Sequence, residues 1–324
     1  MNCDFTVVIP TYNGADRLPA VLERLRSQIH TDSITWEIVV VDNNSGDATA
    51  AVVQICQQTW DFPLRYCFEA TQGLAFARQR GVTEARGQWV GFLDDDNLPD
   101  PQWVRAAYEF GLAHPRAAAY GSKIVGVFEH DPPAELQPML FYLAIVDRGT
   151  QPSQYHPKKN GAPPGAGLVV RREAWLNAVP PQLFLVGRVG KTMVAGEDFE
   201  ALFYLHRHGW EIWHNPAMQI QHLIAANRVE PSYFINMMHG IGLCRHHLRM
   251  LLLARWQQPI ASIGYLLSDS YKLLRHWMGV RVVPKPSLYH TCERARLMGT
   301  LISPFYLLKL RVDRIVAQFP HHNS

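Results

Sequence analysis

No two cysteines in this 324-residue chain stand at C-x-x-C spacing, and Cys3, Cys56, Cys67, Cys244 and Cys292 are an odd number scattered along it. Free thiols in a reducing, cytosolic compartment are therefore expected, rather than a disulfide frame or a zinc knuckle. No uninterrupted apolar run approaches the roughly 18 residues of a membrane span, and "MLLLA" is about the longest in the C-terminal part. A transmembrane helix is not expected. The run "FTVVIP" near the start is too short for the apolar core of a secretory leader and meets polar residues, so the mature protein is expected to begin at or near Met1. A P-loop is missing, and so are internal repeats and low-complexity tracts.

What is present is an ordinary globular composition, 48% apolar and 18% charged. The net charge of +3 conceals a division. Residues 1–227 hold 18 Lys/Arg against 24 Asp/Glu, a net of −6, whereas residues 228–324 hold 13 against 4, a net of +9. An acidic body and a basic tail rich in Leu, Met, Trp and Tyr are expected to face different partners. Such a tail suits an anionic membrane surface or nucleic acid.

Along the first hundred residues, near-continuous apolar runs ("FTVVIP", "WEIVVVD", "LRYCFE", "QWVGFLD") alternate with amphipathic stretches. In "ADRLPAVLERLRSQ", Leu18, Val21, Leu22 and Leu25 fall on one helical face. The alternation predicts an α/β chain with a parallel sheet covered on both faces. In such sheets ligands gather at the carboxyl ends of the strands. Polar residues cluster there: Pro10, Thr11, Tyr12 and Asn13 after the first strand, Asp42-Asn43-Asn44-Ser45 after the second, Asp94-Asp95-Asp96 after the fourth. Three adjacent carboxylates repel one another, and alone they would read as a solvated acidic loop. They become favourable where they share a divalent cation with diphosphate oxygens. Residues 149–167 are rich in Gly and Pro and read as a mobile loop. From about residue 231 helical patterns dominate, with one face carried by Phe234, Met237, Met238, Ile241 and Cys244 and another by Ile263, Leu266, Leu267, Leu274 and Trp277.

Six stretches, "VVIPTYNGADRL", "EIVVVDNNSGDAT", "GLAFARQRGV", "WVGFLDDDNLPDP", "GAGLVVRREAW" and "GEDFEALFYLHRHGW", in this order resemble family 2 glycosyltransferases of the GT-A fold over roughly residues 5–222. The resemblance implies a Rossmann-like, mostly parallel sheet flanked by helices: a GT-A catalytic domain over residues 1–227, with a basic amphipathic helical region over 228–324. It also implies inverting transfer of a sugar from a nucleotide-diphosphate donor to an acceptor hydroxyl, assisted by Mn²⁺ or Mg²⁺. By resemblance Asp42 contacts the nucleoside, with Pro10, Thr11, Tyr12 and Asn13 around it; a turn in "DNNSGD" is the structural alternative. Asp96 falls on the direct metal ligand, Asp94 on a ribose or water-mediated contact, and Asp95 between them. Arg78 braces the acidic cluster or faces the diphosphate, and Gly73 allows close backbone approach. Gln79 stands where the family has Asn, so no role is carried to it.

An acceptor hydroxyl needs a base, and the resemblance places it on Asp198, with Glu197 binding or orienting the acceptor. Carboxylates at a helix N-terminus are also favourable for electrostatic reasons alone. His222 matches a histidine that completes the metal site in many relatives, against the alternative of a packed imidazole. His206, His208 and His214 have no further ligands at zinc spacing and read as surface residues. Processive synthases of the family carry a Gln-x-x-Arg-Trp element, and "WEIWHNP" stands here instead, favouring single-sugar addition. A UDP-sugar is the favoured donor and a carbohydrate or lipid-linked molecule the acceptor. The tail arginines and lysines (Arg245 to Arg314) predict a peripheral position on the anionic inner face of the cell membrane, with an ordinary packed helical subdomain as the alternative. No nucleic-acid motif accompanies them. Two segments, "FLDDDNLPDP" and "AGEDFEALFYLHRHGWEIWHNPAMQIQH", are similar to the hormogonium polysaccharide biosynthesis type. The rival readings are a non-catalytic nucleotide-sugar-binding protein and a sugar nucleotidyltransferase.

Overall fold

Strands and helices alternate as the apolar runs predict, and the computed structural model describes residues 3–60, 62–190, 192–280 and 287–318. The first half runs β1 (Cys3–Thr11), α1 (Leu18–Arg26), β2 (Trp36–Asp42), α2 (Thr49–Thr59), β3 (Leu64–Phe68), α3 (Leu74–Glu84) and β4 (Gly87–Phe92). Then follow β5 (Asn97–Pro99), α4 (Trp103–Ala113), β6 (Ala117–Phe128), β7 (Ser153–Tyr155), β8 (Val169–Arg171), α5 (Arg172–Ala178), α6 (Glu197–Arg207) and β9 (Glu211–Ile224). Three helices complete the described residues: α7 (Pro231–Leu251), α8 (Gln258–Val280) and α9 (Leu288–Gln318).

The strands form one sheet in the order β3-β2-β1-β4-β8-β6-β9-β5, with β7 also on β9. β1 runs parallel to β2 and β4, and Thr11 pairs with Asp42, so these strand ends open on one edge. Val7, Val8, Ile9 and Val39 to Val41 are wholly buried because helices cover both faces. Leu18, Val21, Leu22 and Leu25 of α1 are likewise buried on one side, each contributing about 1.5–3 kcal/mol. The other half of the sheet is mixed. β8 is antiparallel to β4 and β6, and β5 is antiparallel to β9 with Asn97 opposite His222. That register brings the third carboxylate of the acidic triplet next to the histidine.

Three features depart from the sequence reading. The Gly/Pro-rich stretch 149–167 contains β7, which pairs with β9, so part of it is held in the sheet. His214 is fully buried rather than on the surface, because β9 lies between β6 and β7. Burial, helped by Arg148, pushes its pKa down to about 4. The apolar face of α8 is largely exposed, with Ile263 and Leu267 at 64% and 68%. By contrast α7 buries Phe234, Met237, Met238 and Cys244. It presses on α9 so closely that a side-chain carbon at Gly242 would stand 2.4 Å from the Arg296 carbonyl oxygen. All five cysteines are free thiols.

Candidate active site

The loops after β1, β2 and β4 meet the segment before β8, the start of α6 and the 3₁₀ turn Ala134–Leu143 around a cavity of about 550 Å³. Pro10, Thr11 and Tyr12 form one wall, and Gly73 and Arg78 another. Asp94, Asp95, Asp96 and His222 line it opposite Glu197 and Asp198. Most of the residues singled out in the sequence therefore share one space. Asn13 and Asp42 do not line it.

The repulsion within the triplet is relieved because each carboxylate faces its own guanidinium, and of these three the sequence reading anticipates only Arg78. Asp94 Oδ1 lies 3.2 Å from Arg78 Nη2. Asp95 takes a forked pair from Arg17, Nε at 2.9 Å and Nη2 at 3.0 Å, and also accepts the Thr11 hydroxyl at 2.6 Å. Asp96 Oδ2 lies 3.2 Å from Arg228 Nη2. The surroundings split the three acids. Burial pushes the Asp94 carboxyl above the ordinary carboxylate range despite Arg78. Burial also opposes ionisation of Asp96, but its cationic surroundings, with Arg228 and Arg17 among them, overcome it and hold that carboxyl below the ordinary range.

Arg78 is 3% exposed and couples the triplet to α6. Besides Asp94, it donates through Nη1 to Asp198 Oδ1 and lies 3.8 Å from Glu197 Oε1. The other Asp198 oxygen accepts the Gly165 N–H at 2.8 Å. This packing needs glycine at 165, since a side-chain carbon there would stand 2.3 to 2.6 Å from the guanidinium atoms. Gly196, with φ +120°, turns the chain into α6, and Glu197, Asp198 and Glu200 occupy its first turn where the helix dipole favours anions. Glu197 Oε2 accepts the Gly196 N–H at 2.9 Å, so it is tied to its own turn.

Asp42 is bound internally. Its Oδ1 accepts the Ser45 N–H at 2.9 Å and its Oδ2 the Tyr66 hydroxyl at 2.7 Å. Burial and that bond push the Tyr66 pKa up to about 12. The neighbour Asn43 lines the cavity, donating to the Glu69 and Thr71 carbonyls and accepting the Gly73 N–H at 2.8 Å. Asn13 stitches the loops after β1 and β2, accepting the Gly46 N–H at 2.8 Å. Tyr12 stands at the cavity's rim, 51% exposed.

A divalent cation fits one place in this site. Asp96 Oδ2 and His222 Nε2 are 3.6 Å apart and face each other, a hard oxygen and an imidazole nitrogen. His222 Nδ1 donates to the Leu143 carbonyl at 2.9 Å, the outer bond that orients a ligating imidazole. Among the described residues no group of three His, Cys, Asp or Glu gathers for a metal, so further ligands would be diphosphate oxygens and water.

The glycosyl transferase family 2 model matches residues 6–169, half of the chain. The chain belongs to glycosyl transferase family 2. As a family 2 chain it carries β1 to β4 and the acidic triplet inside the matched span, whereas Asp198, His222 and Arg228 lie beyond it. A succinoglycan biosynthesis protein, ExoO, of Rhizobium meliloti (strain 1021) is 34% identical over 37% of this chain and 32% of its own length. A PGL/p-HBAD biosynthesis glycosyltransferase of Mycobacterium bovis (strain BCG / Pasteur 1173P2) is 34% identical over 37% of this chain and 47% of its own. The chain thus spans about a third to a half of these relatives. Mannosyltransferase PcManGT from Pyrobaculum calidifontis, solved with GDP-Man and Mn²⁺, superposes with a TM-score of 0.55 at 19% identity, covering 97% of this chain and 88% of that one. That likeness shows the GT-A fold, a mixed and mainly parallel sheet with C-terminal helices.

The sequence reading of this family 2 site missed several residues. Arg17 was visible in "PTYNGADRL" but had no assigned partner until the fold set it against Asp95. Gly14 sits where a side-chain carbon would meet Thr11 Oγ1 at 2.0 Å. Glu200, 1% exposed, accepts the Phe184 and Leu185 N–H groups and meets His247 of α7 at 3.0 Å. Arg228 carries no sequence signal, since only the β5–β9 register brings it to Asp96.

Proposed function

We propose that this family 2 protein transfers a sugar, with inversion, from a nucleotide-diphosphate donor to an acceptor hydroxyl in polysaccharide or glycolipid biosynthesis. The supporting observation is the buried Arg78, whose one guanidinium holds Asp94 of the triplet and Asp198 of α6. In this reading a donor-side and an acceptor-side carboxylate are fixed to one rigid cation, which sets their separation before substrates arrive. Asp198 accepts one internal bond on each oxygen, leaving lone pairs for the acceptor proton. Glu197 orients that loop, Tyr12 offers an exposed ring to the base, and Asn43 with Gly73 shapes the wall between them. A bound Mn²⁺ or Mg²⁺ on Asp96 and His222 would stabilise charge growing on the departing diphosphate. Asp42 acts behind the wall, holding the loop after β2 from the inside.

The donor reading favours UDP, with GDP and dTDP as competitors; the Pyrobaculum protein was solved with GDP-Man. Calorimetric titration of UDP, GDP and dTDP, each with Mn²⁺ and with a chelator, tests it. Metal-enhanced binding of one nucleotide is expected. Folded protein that binds none would overturn the donor reading; nucleotide binding without any sugar transfer would favour the non-catalytic rival, and tighter binding of UTP, GTP or dTTP in the same titration would favour a nucleotidyltransferase.

Residues 228–324 are proposed as the membrane-facing part of the protein, beside a catalytic domain over 1–227. Trp256, Ile260, Ile263, Leu267, Tyr271 and Leu274 of the 3₁₀ turn Arg255–Gln257 and α8 recur at intervals of four, three, four, four and three residues, all at least half exposed. Arg255, Lys272 and Arg275 are exposed beside them. An apolar stripe flanked by cations suits a peripheral seat on the anionic inner face of the cell membrane and a lipid-linked acceptor. Among the described residues no helix is long and apolar enough to cross a membrane. Several tail cations have other employment: Arg249 pairs with Asp269, Arg296 with Glu293, and Arg311 and Arg314 lie over the Phe184 ring. The narrower resemblance to the hormogonium polysaccharide type rests on its two sequence segments, and the relatives described above are of other types.

A further inference from the structure

We propose that Arg228 is a resident cation at the Asp96–His222 pair, competing with the divalent ion for that position and leaving it when the ion binds. The inference rests on the donor and metal reading of this site. Its guanidinium bridges the two atoms a metal would take, Nη1 at 3.0 Å from His222 Nε2 and Nη2 at 3.2 Å from Asp96 Oδ2. A guanidinium has only donors. The imidazole facing it must therefore accept at Nε2, and it donates from Nδ1 to the Leu143 carbonyl. That is the neutral tautomer a metal ligand requires. Arg228 thus keeps the pair in its metal-ready form while filling the place of the metal charge, and it spares two buried acceptors from standing unsatisfied.

The three arginines of the triplet differ in their freedom. Arg78 is 4% exposed at its side chain and holds three carboxylates. Arg17 is committed to both oxygens of Asp95 and to the Tyr12 and Asn13 carbonyls. Arg228 is 31% exposed and projects from the four-residue 3₁₀ turn Ala226–Val229 between β9 and α7. It also borders a second cavity of about 560 Å³, walled by Val127, Phe128, Leu223 and Ile224, which gives the guanidinium room to swing aside. Displaced, it stays at the cleft wall as a cation for diphosphate oxygens.

The test is titration of the full-length protein with Mn²⁺ alone, followed by calorimetry and by the free-ion electron paramagnetic resonance signal. Arg228→Gln, and Arg228→Met as a second variant that keeps the stem, are expected to bind Mn²⁺ at least about tenfold more tightly than the native protein. Adding Asp96→Asn to either should cancel the gain. Equal or weaker Mn²⁺ affinity in both variants overturns the proposal, as does a gain that survives Asp96→Asn or an absence of Mn²⁺ binding in all of them. Failure of the donor reading would show separately, as no binding of UDP, GDP or dTDP to the native protein with Mn²⁺ present.

Discussion

The carboxyl edge of the sheet and the α8 helix treat charge and apolar surface in opposite ways. At the sheet edge, Asp96, Glu197 and Arg78 are each under 10% exposed, and every carboxylate of the triplet has a cation beside it. On α8 the cations are exposed and large apolar side chains face outward with them. Burying ionised groups is costly unless they are paired and hydrogen-bonded, so the first arrangement persists only where the geometry satisfies them. Exposing a regular apolar stripe is unusual for a soluble surface. The comparison teaches that these two departures from ordinary globular chemistry fall on different elements, which on the proposed reading divide the work between polar substrates and a partner surface.

The largest effect should come from breaking the paired end. Asp198→Asn turns one acceptor atom into a donor, which must then face either the Arg78 guanidinium or the Gly165 N–H. Turnover is expected to fall by roughly 10²–10⁴-fold with nucleotide binding largely kept. Retained turnover would remove Asp198 from the role of base. Next comes His214, a buried group with no hydrogen-bond partner at either nitrogen. Its pKa of about 4 lies below the ordinary 6.5, so the unfolded chain takes the proton first as pH falls. Its share of stability is complete above pH 6.5 and is lost between 6.5 and 4, on the order of 3 kcal/mol. Urea unfolding at pH 7.5 and 4.5 should show a smaller pH loss for His214→Phe than for the native protein; identical losses would contradict this. Gly165→Ala is expected to cost about 1–3 kcal/mol by forcing the Arg78 guanidinium away, with lower turnover. Full stability and activity in that variant would mean the guanidinium has freedom that the packing denies it.

The fold was legible because near-continuous Val/Ile runs and the one-sided spacing of Leu18, Val21, Leu22 and Leu25 are local properties of the chain. The strand-end polar residues were legible for the same reason, and so was the shared cavity that most of them line. Partners set by long-range register were not. Nothing near residue 228 in the sequence points to residue 96, and Arg17 meets Asp95 across 78 positions. Asp42 shows the converse: a strand-end aspartate invites a ligand role, yet it is 3% exposed, does not line the cavity and accepts the Tyr66 hydroxyl and the Ser45 N–H. His214 was misread because "WEIWHNP" does not reveal that β9 is flanked by β6 and β7. The apolar periodicity of α8 was read correctly, but periodicity identifies a face and leaves its contact undetermined.

That face gives the smallest expected effect on the folded protein and the cleanest separation of the two regions. Leu267 is 68% exposed, so Leu267→Glu removes little packing and should change unfolding stability by less than about 0.5 kcal/mol. On vesicles containing phosphatidylglycerol the same change should weaken co-sedimentation about tenfold, because it replaces apolar area that enters the acyl boundary with a charge the anionic surface repels. Vesicles of phosphatidylcholine alone should hold the native protein more weakly, since Arg255, Lys272 and Arg275 then have no anionic surface to meet. Unchanged vesicle binding by Leu267→Glu would remove α8 from the membrane. A native dimer that Leu267→Glu splits, with no vesicle binding by either protein, would reassign the stripe to a second copy of the chain. In both cases donor binding should be untouched, because α8 packs on α7 and α9 and contributes no residue to the cavity lining; loss of donor binding in Leu267→Glu would break the separation itself.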